Sequence, residues 1–317
     1  MPSDALLFSS KLDDPVAWAA ALRAAMPELD VRVSPELGDP ADIETALVWK
    51  APPGELASLP NLKLITNLGA GVDPILADPT IPPHIPVARL GDEVMAQMMA
   101  QFVTLCVLRH HRDLARYERQ QRNRRWHYVL PTASYDCRVG VMGIGLLGGA
   151  AARMLAGISF PVAGWGRSAR TIDGVETYHG RDGLAPFLAR TDILVCLLPL
   201  TSNTRHILNR DVFAKLNRTS PLGAPAVINA GRGGLQNEAD IIACLDDGTL
   251  GAASLDVFSE EPLPPQSPFW THPKVVLTPH NAADTDPDAI SRYVARQIER
   301  FEAGGALENV VDPARGY

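Results

Sequence analysis

The sequence predicts an α/β protein built from two doubly wound, parallel-sheet domains, the second larger than the first. Short apolar runs alternate with helix-patterned stretches along most of the chain, the mark of βα units that feed a parallel sheet. A length of 317 residues is enough for two separate cores. A glycine-spaced turn at residues 143–148 then opens a fresh series of strands, so a second sheet starts there.

In the first domain the expected strands are Ala5–Phe8, Val31–Val33, Ala46–Trp49, Leu64–Thr66 and Pro86–Arg89, with a helix around Trp18–Leu22. Asp92 to about Arg125 reads as one long helical segment. Its first half, with Met95, Met98, Met99, Phe102, Val103, Leu105, Cys106 and Leu108, is apolar on nearly every face and is expected to be buried all round. Its second half is charged and solvated. Six further strands follow at Val139–Met142, Val162–Trp165, Ile193–Leu197, Ala226–Asn229, Ala253–Val257 and Val275–Leu277. Helices fall between them, including Leu184–Leu188 and Glu238–Leu245, and a last helix spans Asp286–Phe301. The expected division is 1–98 plus 286–317 for one domain and 99–285 for the other, with 92–125 linking them.

The turn Gly143-Ile144-Gly145-Leu146-Leu147-Gly148 sits between the strand Val139–Met142 and the helical run Ala150–Leu155. In that context G-x-G-x-x-G is a dinucleotide-binding fingerprint of a Rossmann domain. The first glycine makes the turn, the second admits a pyrophosphate, and the third lets helix and strand close up. After the next strand, an NAD site places an acidic residue to hold the ribose 2′-OH. Here Gly166 takes that place, followed by Arg167, Ser168 and Arg170. Without a carboxylate to repel a 2′-phosphate, and with two guanidinium groups to hold it, NADP(H) is expected ahead of NAD(H).

Composition excludes several other classes. With 46% hydrophobic and 21% charged residues the chain reads as an ordinary globular protein. The net charge of −7 offers no global attraction to nucleic acid or anionic membrane. The basic run Arg119–Arg125 reads as a solvated helix end. Cys106, Cys137, Cys196 and Cys244 lack C-x-x-C spacing and read as buried free thiols of a reducing compartment. The N-terminus shows neither signal-peptide pattern nor membrane span, so the expectation is cytoplasmic. No metal site is expected: the adjacent His110 and His111 point to different helix faces.

Three polar residues each follow a strand of the second sheet: Arg232 after Val227–Ala230, Glu261 after Ser254–Phe258, and His280 after Val275–Thr278. Ligands of an open α/β sheet lie beyond the carboxyl ends of its strands, so these three can converge. The set suits reduction of a 2-oxo acid. An imidazole supplies the proton, a carboxylate orients the ring, and a guanidinium clamps the substrate carboxylate and polarises the carbonyl.

Asn229-Ala-Gly-Arg232-Gly, Leu255–Pro264 and Thr278-Pro-His280 resemble the D-isomer-specific 2-hydroxyacid dehydrogenase family. So do Asn67–Asp73, Leu198-Pro-Leu-Thr201 and the fingerprint. Ser267–Trp270 and the closing Val311–Tyr317 are similar to a subgroup of NADPH-preferring glyoxylate and hydroxypyruvate reductases. The resemblance implies that the first domain is a flavodoxin-like substrate domain, or catalytic lid, completed by the C-terminal helix. It implies that the backbone of Ala70 and Gly71 meets the substrate carboxylate, and that Leu198, Pro199, Ala230 and Asp256 line the cofactor site, Asp256 at the nicotinamide carboxamide. It also implies a homodimer joined through the segment after residue 92. Trp126 is then a candidate to reach the partner's site, and Trp49 a candidate to cap the pocket. Two alternatives stay open: a dehydrogenase for bulkier acids such as phenylpyruvate, and a nucleotide-sensing, corepressor-like binding protein. Formate is disfavoured, since formate-oxidising relatives carry Gln where Glu261 stands.

Overall fold

The computed structural model describes residues 5–91, 93–284 and 286–313. It separates into two compact units, Met1–Asp92 with Thr285–Tyr317, and Glu93–Asp284.

The first unit holds β1 (Ala5–Ser10), α1 (Pro15–Ala25), β2 (Asp30–Val33), β3 (Ile43–Trp49), β4 (Leu64–Asn67), the single turn α2 (Asp73–Leu76) and β5 (Val87–Arg89). Its strands are all parallel in the order β2-β1-β3-β4-β5, the flavodoxin arrangement. Ala5-Leu-Leu-Phe8 is buried at every residue, as a parallel strand covered on both faces must be. Asp14 caps α1 by accepting from the Val16 N–H, and Pro15 follows where its missing donor costs nothing. Trp18 then stacks on Phe8 with ring centroids 5.5 Å apart.

The second unit begins with α3 (Glu93–His111) and α4 (Leu114–Arg122) and continues with β6 (Val139–Met142), α5 (Leu146–Gly157), β7 (Val162–Gly166), β8 (Glu176–His179) and α6 (Gly180–Ala189). It closes with β9 (Ile193–Cys196), α7 (Arg210–Phe213), β10 (Ala226–Asn229), α8 (Glu238–Asp246), β11 (Ala252–Leu255) and β12 (Val275–Leu277). The parallel order β12-β11-β10-β9-β6-β7-β8 is that of a Rossmann sheet with one added strand. Strand order reverses between β6 and β9, the crevice where such sheets take their ligands. α9 (Pro287–Glu302) returns to the first unit and packs on α1 through a face that includes Ile290, Tyr293, Val294 and Ile298.

Four expectations need correcting. The second sheet has seven strands rather than six: β8 is a polar edge strand, Glu176-Thr-Tyr-His179, with no apolar run to reveal it. The long helix is two. Asp113 takes a left-handed φ of +49°, and Arg109 forks onto Glu118 across the corner at 2.7 and 2.8 Å. Nor is α3 buried all round: Met95, Met99, Val103 and Val107 face the core, while Val94, Leu105 and Leu108 are exposed. The first boundary falls at 92 rather than 98, because α3 runs as one helix from Glu93. Asp92 and residues 314–317 of the closing motif lie outside the described residues.

Candidate active site

At the β6–β9 crevice each fingerprint glycine has its own geometric reason. Gly143 takes φ +93°, and a Cβ on it would sit 2.6 Å from the Leu197 carbonyl oxygen. Gly148 lies so close to the turn that a Cβ would come within 1.8 Å of the Gly143 carbonyl oxygen. A Cβ on Gly145 would meet nothing within 4 Å. Gly145 is also the N-cap of α5 and has no side chain to occupy the first N–H groups of the helix. Two glycines are thus demanded by packing and the third leaves open space over a helix N-terminus. That cradle suits a pyrophosphate.

Gly166, the last residue of β7, packs on Ile144, while Arg167, Ser168 and Arg170 beyond it are all exposed. Arg170 Nη1 donates to the Ile144 carbonyl at 2.6 Å, so it is tied to the fingerprint turn. Leu198 and Pro199 follow β9. The Pro199 carbonyl accepts from Thr204 Oγ1 at 2.7 Å, which holds the exit of that strand in a tight turn. Ala230 is buried at the end of β10.

Arg232, Glu261 and His280 follow β10, β11 and β12, three adjacent strands of the same sheet. His280 Nδ1 and Glu261 Oε2 are 2.8 Å apart, and the other Glu261 oxygen accepts from the Phe258 N–H at 3.1 Å. Both side chains are only partly buried. The carboxylate engages Nδ1, and Nε2 is the ring nitrogen on the far side of the imidazole from Glu261. Arg232 is partly buried on a turn held from below. Asn229 accepts from the Gly231 N–H and donates to the carbonyl of Arg232 and to Gln236 Oε1, while Gln236 donates to the Val257 carbonyl. A Cβ on Gly233 would lie 1.9 Å from the Phe258 carbonyl oxygen, so the Arg232 turn and the turn leading to Glu261 touch backbone to backbone.

Asp256 is fully buried and turned to the same end. It accepts from Thr278 Oγ1 at 2.5 Å, from the Asn281 N–H at 3.0 Å and from the Ala282 N–H at 3.1 Å. These bonds bracket His280, whose φ of +57° is costly for a residue with a Cβ and needs such bracing. Reasoning from sequence did not find this brace, nor Asn229 and Gln236. An Asp directly after a strand was the one signal available. Below lies a further polar contact, His110 Nε2 to Ser254 Oγ at 2.9 Å, where burial pushes the imidazole down to about 4.

All four cysteines are free and buried. Burial pushes the Cys106 thiol up to about 11 and those of Cys137 and Cys196 up to about 12, so none of these three supplies a thiolate near neutrality. Among the described residues no group of His, Cys, Asp or Glu could hold a metal ion. Nor is any described helix long and apolar enough to cross a membrane.

In the first unit the buried Asn67 donates to the carbonyls of Gly69 and Gly71 at 2.7 and 3.0 Å. Turning those carbonyls inward aims the N–H groups of the same peptide planes, those of Ala70 and Val72, the other way. Trp49 packs so tightly on this loop that a Cβ on Gly69 would lie 2.3 Å from its ring. Lys50 Nζ lies over the indole, 5.9 Å from its ring centroid. Trp126, in the irregular stretch after α4, is 100% exposed.

The family profile described as D-isomer specific 2-hydroxyacid dehydrogenase, NAD binding domain, matches residues 104–282. The chain is 38% identical over 305 residues to a glyoxylate/hydroxypyruvate reductase A of Yersinia enterocolitica, covering 95% of this chain and 96% of that one. Among solved structures it is similar to an NADPH-dependent glyoxylate/hydroxypyruvate reductase of Sinorhizobium meliloti in complex with NADP and sulfate. There the TM-score is 0.95 at 45% identity, over 99% of this chain and 100% of that one. A D-isomer specific 2-hydroxyacid dehydrogenase of Xanthobacter autotrophicus, in complex with NADPH and MES, gives a TM-score of 0.94 at 46% identity over the same shares.

Proposed function

The chain belongs to the D-isomer specific 2-hydroxyacid dehydrogenase family, and we propose that within it this protein is an NADPH-dependent reductase of small 2-oxo acids, glyoxylate and hydroxypyruvate foremost. The observation that carries this is the imidazole–carboxylate pair of His280 and Glu261 beside Arg232, on three adjacent strand ends of a sheet that also carries a dinucleotide cradle. The unit Glu93–Asp284 serves as the cofactor domain and the other unit as the substrate domain.

Reduced nicotinamide supplies the hydride. His280 Nε2 donates the proton that turns the carbonyl oxygen into a hydroxyl, and Glu261 holds the ring in place through Nδ1. Arg232 pairs with the substrate carboxylate and polarises the carbonyl. In the substrate domain the N–H groups of Ala70 and Gly71 serve as carboxylate donors, and Trp49 limits the room beside that loop. Arg167 and Ser168 hold the 2′-phosphate that separates NADPH from NADH.

Leu105, Leu108, Leu114, Trp126, Tyr128 and Leu130 lie exposed along α3, α4 and the stretch that follows, apolar side chains that a second copy would cover. These side chains support a homodimer in which Trp126 serves the partner's site. Buried reduced thiols suit a cytoplasmic setting. Following nicotinamide absorbance with NADPH or NADH against glyoxylate, hydroxypyruvate, pyruvate and phenylpyruvate tests the whole reading. Fast NADPH oxidation by the two small acids is the expected result. Tight nucleotide binding with no turnover on any of them would move the reading to a nucleotide sensor.

A further inference from the structure

The two arginines after β7 look interchangeable in sequence, but the structure separates them. Arg170 reaches back and donates from Nη1 to the carbonyl of Ile144, the residue between the first two fingerprint glycines, at 2.6 Å. The Ile144 side chain is locked at the same time. It packs over β7 where a Cβ on Gly164 would be 2.5 Å from its Cγ2, and one on Gly166 would be 3.3 Å from its Cγ1. The carbonyl of Ile144 and the N–H of Gly145 belong to one peptide plane, and in a trans peptide they point in opposite directions. A guanidinium that fixes the carbonyl therefore aims the N–H the other way. Gly145 is the residue beside which the structure leaves open space at the start of α5.

Given the reading of this chain as an NADPH-dependent reductase, we infer that Arg170 is a positioning residue for the pyrophosphate. It acts through the Ile144–Gly145 peptide, while discrimination for the 2′-phosphate rests on Arg167. Arg170 stays on the turn whichever nucleotide is bound, so its contribution is common to NADPH and NADH. Neighbouring peptide planes set between glycines swing easily once a charged hydrogen bond is lost, so the expected effect falls on every ligand that carries a pyrophosphate. Arg167 is exposed just past the end of β7.

The test measures equilibrium binding of NADPH, NADH and adenosine 2′-monophosphate, which has the 2′-phosphate and no pyrophosphate. It compares the parent protein, Arg170→Ala, Arg170→Lys and Arg167→Ala, with thermal melting as the check on folding. Arg170→Ala is expected to weaken NADPH and NADH by a similar factor, about tenfold or more, and to leave adenosine 2′-monophosphate within about twofold of the parent. Arg170→Lys, which keeps a cationic donor, recovers part of that loss for both dinucleotides. Arg167→Ala is expected to do the converse, weakening NADPH and the monophosphate and sparing NADH. The inference is overturned if Arg170→Ala weakens the monophosphate and NADPH while leaving NADH untouched, since Arg170 would then be a direct phosphate ligand. A parent protein that binds neither dinucleotide would instead refute the nucleotide-binding reading itself.

Discussion

Replacing Gly145 and Gly148 separately by alanine divides what the fingerprint does for the fold from what it does for a ligand. At Gly148 the new Cβ falls 1.8 Å from the Gly143 carbonyl oxygen, well inside the ~3.3 Å at which carbon and oxygen begin to touch. α5 must then retreat from the β6 turn by more than an ångström, at an overpacking cost of about 1–3 kcal/mol. At about 2–4 °C per kcal/mol for a unit of this size, Gly148→Ala should melt roughly 2–12 °C below the parent. At Gly145 the φ of −69° suits alanine and the Cβ meets nothing within 4 Å. The small loss of a glycine N-cap and the gain from a stiffer unfolded chain, each about 0.5–1 kcal/mol, nearly cancel. Gly145→Ala should therefore melt like the parent but place a methyl where the pyrophosphate passes. Each charge-assisted hydrogen bond lost, at about 1.5–3 kcal/mol, weakens NADPH by about tenfold or more. Differential scanning fluorimetry without nucleotide, and NADPH titration by fluorescence, read the two effects. Parent-like NADPH affinity in Gly145→Ala would show that the pyrophosphate does not cross this residue, and the cradle would be assigned wrongly.

Other expectations rest on separate parts of the molecule. His280→Ala should lose about 10²–10⁴-fold in kcat and keep its NADPH affinity; near-normal turnover would remove it as proton donor. Arg232→Ala should raise KM for glyoxylate by about tenfold or more, and an unchanged KM would leave the carboxylate clamp elsewhere. Gly69→Ala should expel the Trp49 ring, seen as altered indole fluorescence together with a higher KM, because the new Cβ would lie 2.3 Å from that ring. The fifth concerns acid stability. His110 has its folded value lowered by burial from 6.5 to about 4, so the unfolded chain takes up a proton first as pH falls. Stability should drop between about pH 6.5 and pH 4, by up to about 3 kcal/mol, and level off below. His110→Gln, which retains a partner for Ser254, should flatten that acid limb in a melting-temperature profile; an unchanged limb would show that other groups set it.

Most of the fold could be read in the sequence because burial imposes patterns there. β1, β6, β9 and β10 are buried at every residue or nearly so, and their unbroken apolar runs are what a parallel sheet covered on both faces requires. The edge strand β8 escaped because its residues are exposed or half-buried and pair with a neighbour on one side only, a position that asks for no apolar run. The break at Asp113 escaped for a related reason. Asp is tolerated in a left-handed conformation without being a marker of one, and the Arg109–Glu118 fork that steadies the corner joins residues nine apart.

By itself, the sequence determined the chemistry on offer: a glycine turn between strand and helix, arginines in place of an acidic ribose ligand, and Arg, Glu and His each following a strand. Local steric need and strand order write such features into neighbouring residues. Only the tertiary structure decided how those groups are held. Asp256 braces His280 from β11 to the turn after β12, Gln236 ties the Arg232 turn to the Val257 carbonyl, and Trp49 lies on Gly69. Arg170 grips the fingerprint rather than standing simply beside Arg167. The physical reason is that a hydrogen bond or van der Waals contact depends on distance in space, within about 3–4 Å, and residues 20 or more apart acquire that distance only when strands are laid side by side.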